Sequence, residues 1–434
     1  MGERRGAKVP IVDDKRIIDR AVWRIMPLAT LCFVSAVIDK SNIGFAKLQM
    51  ARDLHMSEAV YGLGASLFFA AFLIFELPSA LAAHRFGARA WVARIMASWG
   101  LTTLLLAFAT SMTLFYGLRF VLGVAEAGLY PTLIYYLTLW FPQSHQARVA
   151  GILTLGSALG NGSGALISGA LLDLNGALGF AGWQWIFLVT GILPLLLTPL
   201  VLLFMPDTPA HATFFSPDER ARLAAMVEAD KPRESGEGGI LSALADLRVL
   251  GYSFLYCLLG VALFGVIYWT PTAIKGFAVT GTMNGVLSAA PWLLACAMLL
   301  TIPARLKTRG PVLAALIATG VVGALCFAVA ASFHAPLWRY AALFVGTPCI
   351  SLAIGLFWTL PVRLFAGARA AAVIAAINVF GSLGGFIAQN LMPAAAGWGN
   401  GPAFAMWVPC ACLAMVAAGA VWAASRMDDG AGHA

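Results

Sequence analysis

GWQWIFLVTGILPLLLTPLVLLF, residues 182–204, runs from Gly182 to Phe204 without one charged side chain. As a helix rising 1.5 Å per residue it is about 35 Å long, enough to cross a hydrocarbon layer of about 30 Å. Eleven further apolar runs, broken by Pro, Gly and charge, stand near 23–46, 59–81, 90–110, 114–139, 147–173 and 249–274, then 282–304, 311–332, 336–361, 368–392 and 402–425. Together with 182–205 they make six runs, a polar gap and six more.

The whole chain agrees with that stretch. Of its 434 residues 60% are hydrophobic and only 11% charged, where a soluble chain carries about 25% charged residues. Continuous runs exclude a β-barrel, whose strands alternate apolar and polar residues. The expectation is an all-α polytopic membrane protein of twelve transmembrane helices in two pseudo-symmetric six-helix bundles. Its parts are a tail over 1–22, a bundle over 23–205, a linker over 206–248 with one amphipathic stretch near 217–230, a second bundle over 249–425 and a tail over 426–434. The polar start, with Arg4, Arg5 and Lys8, is not a cleavable signal peptide, so the first apolar run is expected to stay as a helix.

A net charge of +8 invites a nucleic-acid reading, but no basic stripe interleaved with aromatics occurs and no nucleic-acid partner is expected. Placing the N-terminus in the cytoplasm puts 22 of the 28 Lys and Arg residues in cytoplasmic segments, leaving Lys47, Arg52, Lys275 and Arg339 outside and Lys40 and Arg119 within apolar runs. Both termini and the linker are therefore expected in the cytoplasm, and the basic excess records orientation. Seven cysteines lie in apolar runs without metal or disulfide spacing, so neither a metal nor a cofactor is expected. No nucleophile elbow or phosphate loop occurs, which argues against an enzyme.

A charge inside a membrane segment costs about 2.5–3.5 kcal/mol on insertion scales, so those present are paired or face a wet cavity. Asp39 and Lys40 close the first run, Glu76 lies in the second, Arg119 and Glu126 in the fourth and Asp173 ends the fifth. Leu247 to Met427 holds no carboxylate, so any carboxylate switch belongs to the first half. Seven residues separate Arg119 from Glu126, which puts them on one helix face two turns apart. Glu76, before Leu77-Pro78, reads equally as structural or functional. Gly156, Gly160, Gly164 and Ser168 form a small-residue stripe suited to close helix packing, and Trp358 and Asn378 are lone polar groups in apolar runs that read as interhelical glue or as a site.

Other stretches carry a resemblance. The loop His84-Arg85-Phe86-Gly87-Ala88-Arg89 resembles the G-x-x-x-D-R-x-G-R loop of the major facilitator superfamily in Arg85, Gly87 and Arg89, and departs from it at Ala80 and His84. Asp39-Lys40-Ser41-Asn42-Ile43-Gly44, Arg119 to Gly128 with Pro131 and Trp140-Phe141-Pro142, and Gly182 to Phe187 resemble the anion:cation symporter family of tartrate, phthalate, hexuronate and galactonate permeases. Phe357-Trp358 with Pro361, and Asn378 with Gly381, Gly384 and Gly385, extend the likeness. What it implies is proton symport of an organic anion, importing a sugar acid, hydroxy-dicarboxylate or aromatic carboxylate. Asp39 and Glu126 would be the titrating acids, Lys40 and Arg119 the anion-binding cations, and Trp358 and Asn378 substrate contacts, with Arg85, Gly87 and Arg89 as the gating loop. The expected partners are the anion, protons and the lipid of a bacterial inner membrane, with the chain a monomer. A proton-independent facilitator or exchanger is the alternative; a non-transporting receptor follows behind it. Lys40 stands where the family usually has Arg, and Phe72, Thr190 and Gln389 also depart from it.

Overall fold

The computed structural model describes residues 14–230, 245–306, 308–333, 335–364, 368–399 and 401–431. The tail before Asp14, Arg4, Arg5 and Lys8 among it, the linker stretch 231–244 with Lys231 and Arg233, and Lys307 lie outside the described residues.

The first half folds as α1 (Asp14–Asp53), α2 (Glu58–Phe86), α3 (Ala88–Leu106), α4 (Met112–Glu126), α5 (Leu129–Trp140), α6 (Gln143–Leu172) and α7 (Gly182–Phe204). After α8 (Pro217–Ala229) the second half follows as α9 (Leu247–Lys275), α10 (Gly281–Thr301), α11 (Arg309–Ser332), α12 (Pro336–Leu364), α13 (Ala368–Trp398) and α14 (Trp407–Ala431). With α4 and α5 taken as one crossing, each half has six. Ten crossings are long and apolar enough to span a membrane on composition alone, and α3 and α13 complete the two sets. Each half has its own buried core, one built around Trp99, Tyr136, Trp140 and Phe187, the other around Phe327, Ile350, Phe357 and Leu413. Large apolar side chains such as Ile74, Leu81, Leu203 and Leu325 point outward, and Trp23, Trp338, Trp398 and Trp422 are exposed near helix ends, the aromatic belts of a membrane protein.

Two boundaries differ from expectation. The first helix begins at Asp14, nine residues before the expected 23, because its opening turns are not solvated: Ile17, Ile18 and Ala21 are buried. They are held by α8, where Arg222 pairs with Asp14 at 2.7 Å and Arg20 with Glu219 at 2.9 Å. The amphipathic stretch of the linker is that helix, started by a reciprocal Ser216–Glu219 cap and buried through Leu223 and Val227. The fourth apolar run is also not one helix. It breaks between Glu126 and Leu129, where Gly128 takes a left-handed φ of 85° that L side chains avoid. The carbonyls freed by the break are answered locally: Ser79 Oγ donates to Ala127 O at 2.6 Å, and Arg94 donates to Ala125 O at 3.4 Å.

We refer to the end bearing Asp14, α8 and Leu247 as the tail end and to the opposite end as the far end. The halves meet through α1 with α9, α2 with α13 and α6 with α10. One close approach is α6 to α10, where a Cβ on Gly169 would stand 2.6 Å from Gly281 O and from Gly285 Cα. Near the far end Asp173, just past α6, accepts from the backbone amides of Gly281 at 2.8 Å and Thr282 at 2.7 Å and from the Thr282 hydroxyl at 2.6 Å. Burial would push its carboxyl up, but the Thr282 and Gly281 donors outweigh that and hold it below its ordinary value. A second latch sits beside it: Lys47 pairs with Glu58 at 2.6 Å and lies 4.0 Å from the Trp269 ring centre of the other half.

Candidate functional site

The break in the fourth crossing positions the site. Glu126 is the last residue of α4 and is completely buried, and Lys40, midway along α1, reaches it: Nζ stands 2.9 Å from Oε1. Lys40 keeps 23% of its side chain exposed, so one partner of the pair is sealed and the other can meet a ligand. Phe72 forms the adjoining wall, its ring centre 4.5 Å from Lys40 Nζ. The departures at Phe72 and Thr190 are therefore part of the site's wall and support.

Asp39 faces a different way. It is buried at 1% exposure and accepts from Thr103 Oγ1 at 2.9 Å and Asn42 Nδ2 at 3.3 Å, while Asn42 also donates to Thr190 at 2.9 Å. Of the two acids, Glu126 is paired with a cation, whereas the hydrogen bonds of Asp39 are to a hydroxyl and an amide. Its Oδ2 is buried without a hydrogen-bond partner. Arg119, also 1% exposed, lies under Phe68 with its guanidinium 4.8 Å from the ring centre, and its Nε has no hydrogen-bond partner. At two turns from Glu126 it stands about 10 Å nearer the far end.

The second half contributes another layer. Counting 1.5 Å per residue from the far ends of their helices, Lys40 and Glu126 lie about 20 Å deep, whereas Glu76, Tyr256, Asn378 and Trp358 lie about 27–33 Å deep. Asn378 Nδ2 donates to Glu76 Oε1 at 3.4 Å, joining the halves, and Glu76 Oε2 is buried without a hydrogen-bond partner. Trp358 packs edge-on to Tyr256 at 4.9 Å. Asn378 is thus brought to the contact between the halves, and Trp358 packs within the second half; both lie about one to two helix turns from Lys40. Glu76, left open between a structural and a functional reading, is the carboxylate that touches Asn378. Its pairing crosses 302 positions of sequence, and the only signal for it was a charge in an apolar run.

The loop residues settle separately. Gly87 turns the chain between α2 and α3 with φ 85°, and Arg89 pairs with Asp207 at 3.2 Å. Asp207 follows α7 and supplies a carboxylate that the loop itself lacks at His84. Arg85 lies 5.4 Å from the Phe86 ring centre. None of these three touches the Lys40–Glu126 layer.

The family model described as Major Facilitator Superfamily matches residues 29–389. A putative tartrate transporter of Agrobacterium vitis is 36% identical over 386 residues, covering 89% of this chain and 88% of that one. A quinolone resistance transporter of Acinetobacter baumannii is 35% identical over 380 residues, covering 86% and 87%. Among solved structures, a bacterial homolog to the human lysosomal transporter Spinster, inward-facing and occupied, is similar with a TM-score of 0.72 at 15% identity, covering 92% of this chain and 96% of that one; the likeness is one of fold.

Proposed function

The chain belongs to the major facilitator superfamily, a membrane transporter and not an enzyme, and we propose that it imports a small organic anion together with protons by alternating access. The observation that carries this reading is the Lys40–Glu126 pair, a cation that keeps 23% of its side chain exposed against an acid that is sealed. While Glu126 is ionised it occupies Lys40. A proton on Glu126 cancels the attraction, and a buried ammonium left without its partner is satisfied by an incoming carboxylate. Asp39, with one oxygen unpartnered, is the second proton acceptor, and Arg119 contributes positive potential from further toward the far end. Asn378 and Trp358 bound the site on its tail-end side, past the carboxylate. The name of the Agrobacterium relative supports an anionic cargo.

The distribution of Lys and Arg puts the tail end in the cytoplasm. In that orientation the latches at Asp173 and Lys47 lie on the outer side of a bacterial inner-membrane carrier. Transport is a rocking of one half against the other around Lys40.

The test is anion uptake by Lys40→Ala and Lys40→Arg in proteoliposomes. Removing the cation raises KM at least about 30-fold, the order expected for truncating one side of a buried charge pair, while Lys40→Arg keeps uptake and its planar fork holds a carboxylate as well or better. An unchanged KM in Lys40→Ala contradicts the assignment.

A further inference from the structure

Between the far-end latches and the Lys40 layer the two halves enclose a cavity of about 20 Å³, room for one water-sized group in this conformation. Its polar lining comes from five helices: Ser41 on α1, Asn161 on α6, Thr270 on α9, Ser288 on α10 and Thr347 on α12. All five are buried, the most exposed being Thr270 at 7%. No charged residue lines it. Ser41 follows Lys40 in the chain, and Thr347 lies about 17 Å from the far end of α12, close to the depth of Lys40.

Two threonines of this lining keep their hydroxyls unspent, as Thr30 and Thr272 do outside the cavity; what sets this pair apart is that both line the same space. Elsewhere in the membrane helices Thr102, Thr132, Thr190, Thr198, Thr301 and Thr319 turn their hydroxyls back onto the carbonyl four residues earlier. Thr270 and Thr347 do not: both Oγ1 atoms are buried without a hydrogen-bond partner, one in each of two helices that face the same space. Asn161 spends its amide on Ser157 O at 2.9 Å, which leaves its side-chain oxygen as an acceptor. Two free hydroxyls and a free amide oxygen suit a neutral group that both donates and accepts.

We propose that this pocket binds hydroxyl groups of the transported anion, so that the preferred cargo is a monocarboxylate with a neutral, hydroxylated tail. The inference rests on the reading of Lys40 as the carboxylate's partner and adds the tail's chemistry to it. A second carboxylate placed here would lose its water with no cation to replace it. An alkyl or aryl tail would leave both threonine hydroxyls unpaired, and a site built to hydrogen-bond a hydroxyl discriminates strongly against an analogue that lacks one. Because both halves line the pocket, it widens to admit the tail when the far end opens and shrinks to the room for one hydroxyl-sized group seen here when that end is closed.

Uptake of gluconate, tartrate and hexanoate into proteoliposomes tests this with wild type, Thr270→Val, Thr347→Val and the corresponding Ser variants. Wild type is expected to take gluconate with a KM at least about 10-fold below those of tartrate and hexanoate. Each Val variant raises the gluconate KM about 10-fold and leaves hexanoate unchanged, and each Ser variant restores the wild-type value. The proposal is overturned if wild type takes hexanoate or tartrate as readily as gluconate, or if the Val variants leave the gluconate KM where it was; anion uptake itself then still stands. If a cooperatively melting wild type takes up none of the three, the reading of Lys40 falls as well.

Discussion

In the proposed mechanism Glu126 is the residue that decides coupling, since it is fully buried, ends α4 and has Lys40 as its ionic partner. Glu126→Gln imitates the protonated acid permanently. The variant should exchange labelled for unlabelled anion across the membrane at near wild-type rates, yet fail to accumulate it when a pH gradient is imposed; accumulation that persists removes Glu126 from the proton path. These residues were legible in the sequence because a charge in an apolar run is costly enough to need a reason. Partnerships were less so. That Asp39 serves Thr103 and Asn42, and that Glu76 reaches Asn378, depends on which helix faces lie opposite each other, which local spacing does not record.

At the scale of elements, the α6–α10 contact shows what a small-residue stripe does. The stripe at Gly156, Gly160 and Gly164 was visible in the sequence, but a Cβ there meets α1, as with Val37 beside Gly160 at 2.6 Å. The contact between the halves uses Gly169, Gly281 and Gly285 instead. Asp173, which ends the fifth apolar run, caps the first turn of α10 across that contact. Its carboxyl is held below the ordinary value in the folded protein, so the stabilisation it gives is fully present above the unfolded pKa of about 4 and is lost as pH falls through the lower folded value. Hydrogen exchange at the Gly281 and Thr282 amides should therefore be slow relative to the intrinsic rate from pH 7 down to about 4 and lose that protection as pH falls further. Asp173→Ala should release both amides across the whole range; amides protected equally in that variant would show that backbone packing alone closes this end. The break at Gly128 was the least legible element, because its residues are as apolar as any helix and only a left-handed glycine marks it.

For the molecule as a whole, the apolar run at 182–204 and its eleven counterparts were enough to predict two sets of six crossings, since membrane helices must each satisfy their own backbone. Composition does not say how the halves rest against each other, and the site consists of that contact. From the far end inward run the Asp173 and Lys47 latches, the hydroxyl-lined cavity, the Lys40–Glu126 pair and the Glu76–Asn378 bridge, each of the first, second and fourth drawing on both halves. Every carboxylate in these layers belongs to the first half, so the second half can recognise a substrate but cannot take up its proton. Proton coupling is the central element of the mechanism proposed from these layers. It is measured by loading proteoliposomes at alkaline pH, diluting them into acidic or matched buffer with labelled gluconate or tartrate, and following accumulation with and without a protonophore. The mechanism predicts accumulation above the external concentration only under the gradient, abolished by the protonophore; equal, non-concentrative uptake in both buffers would contradict it.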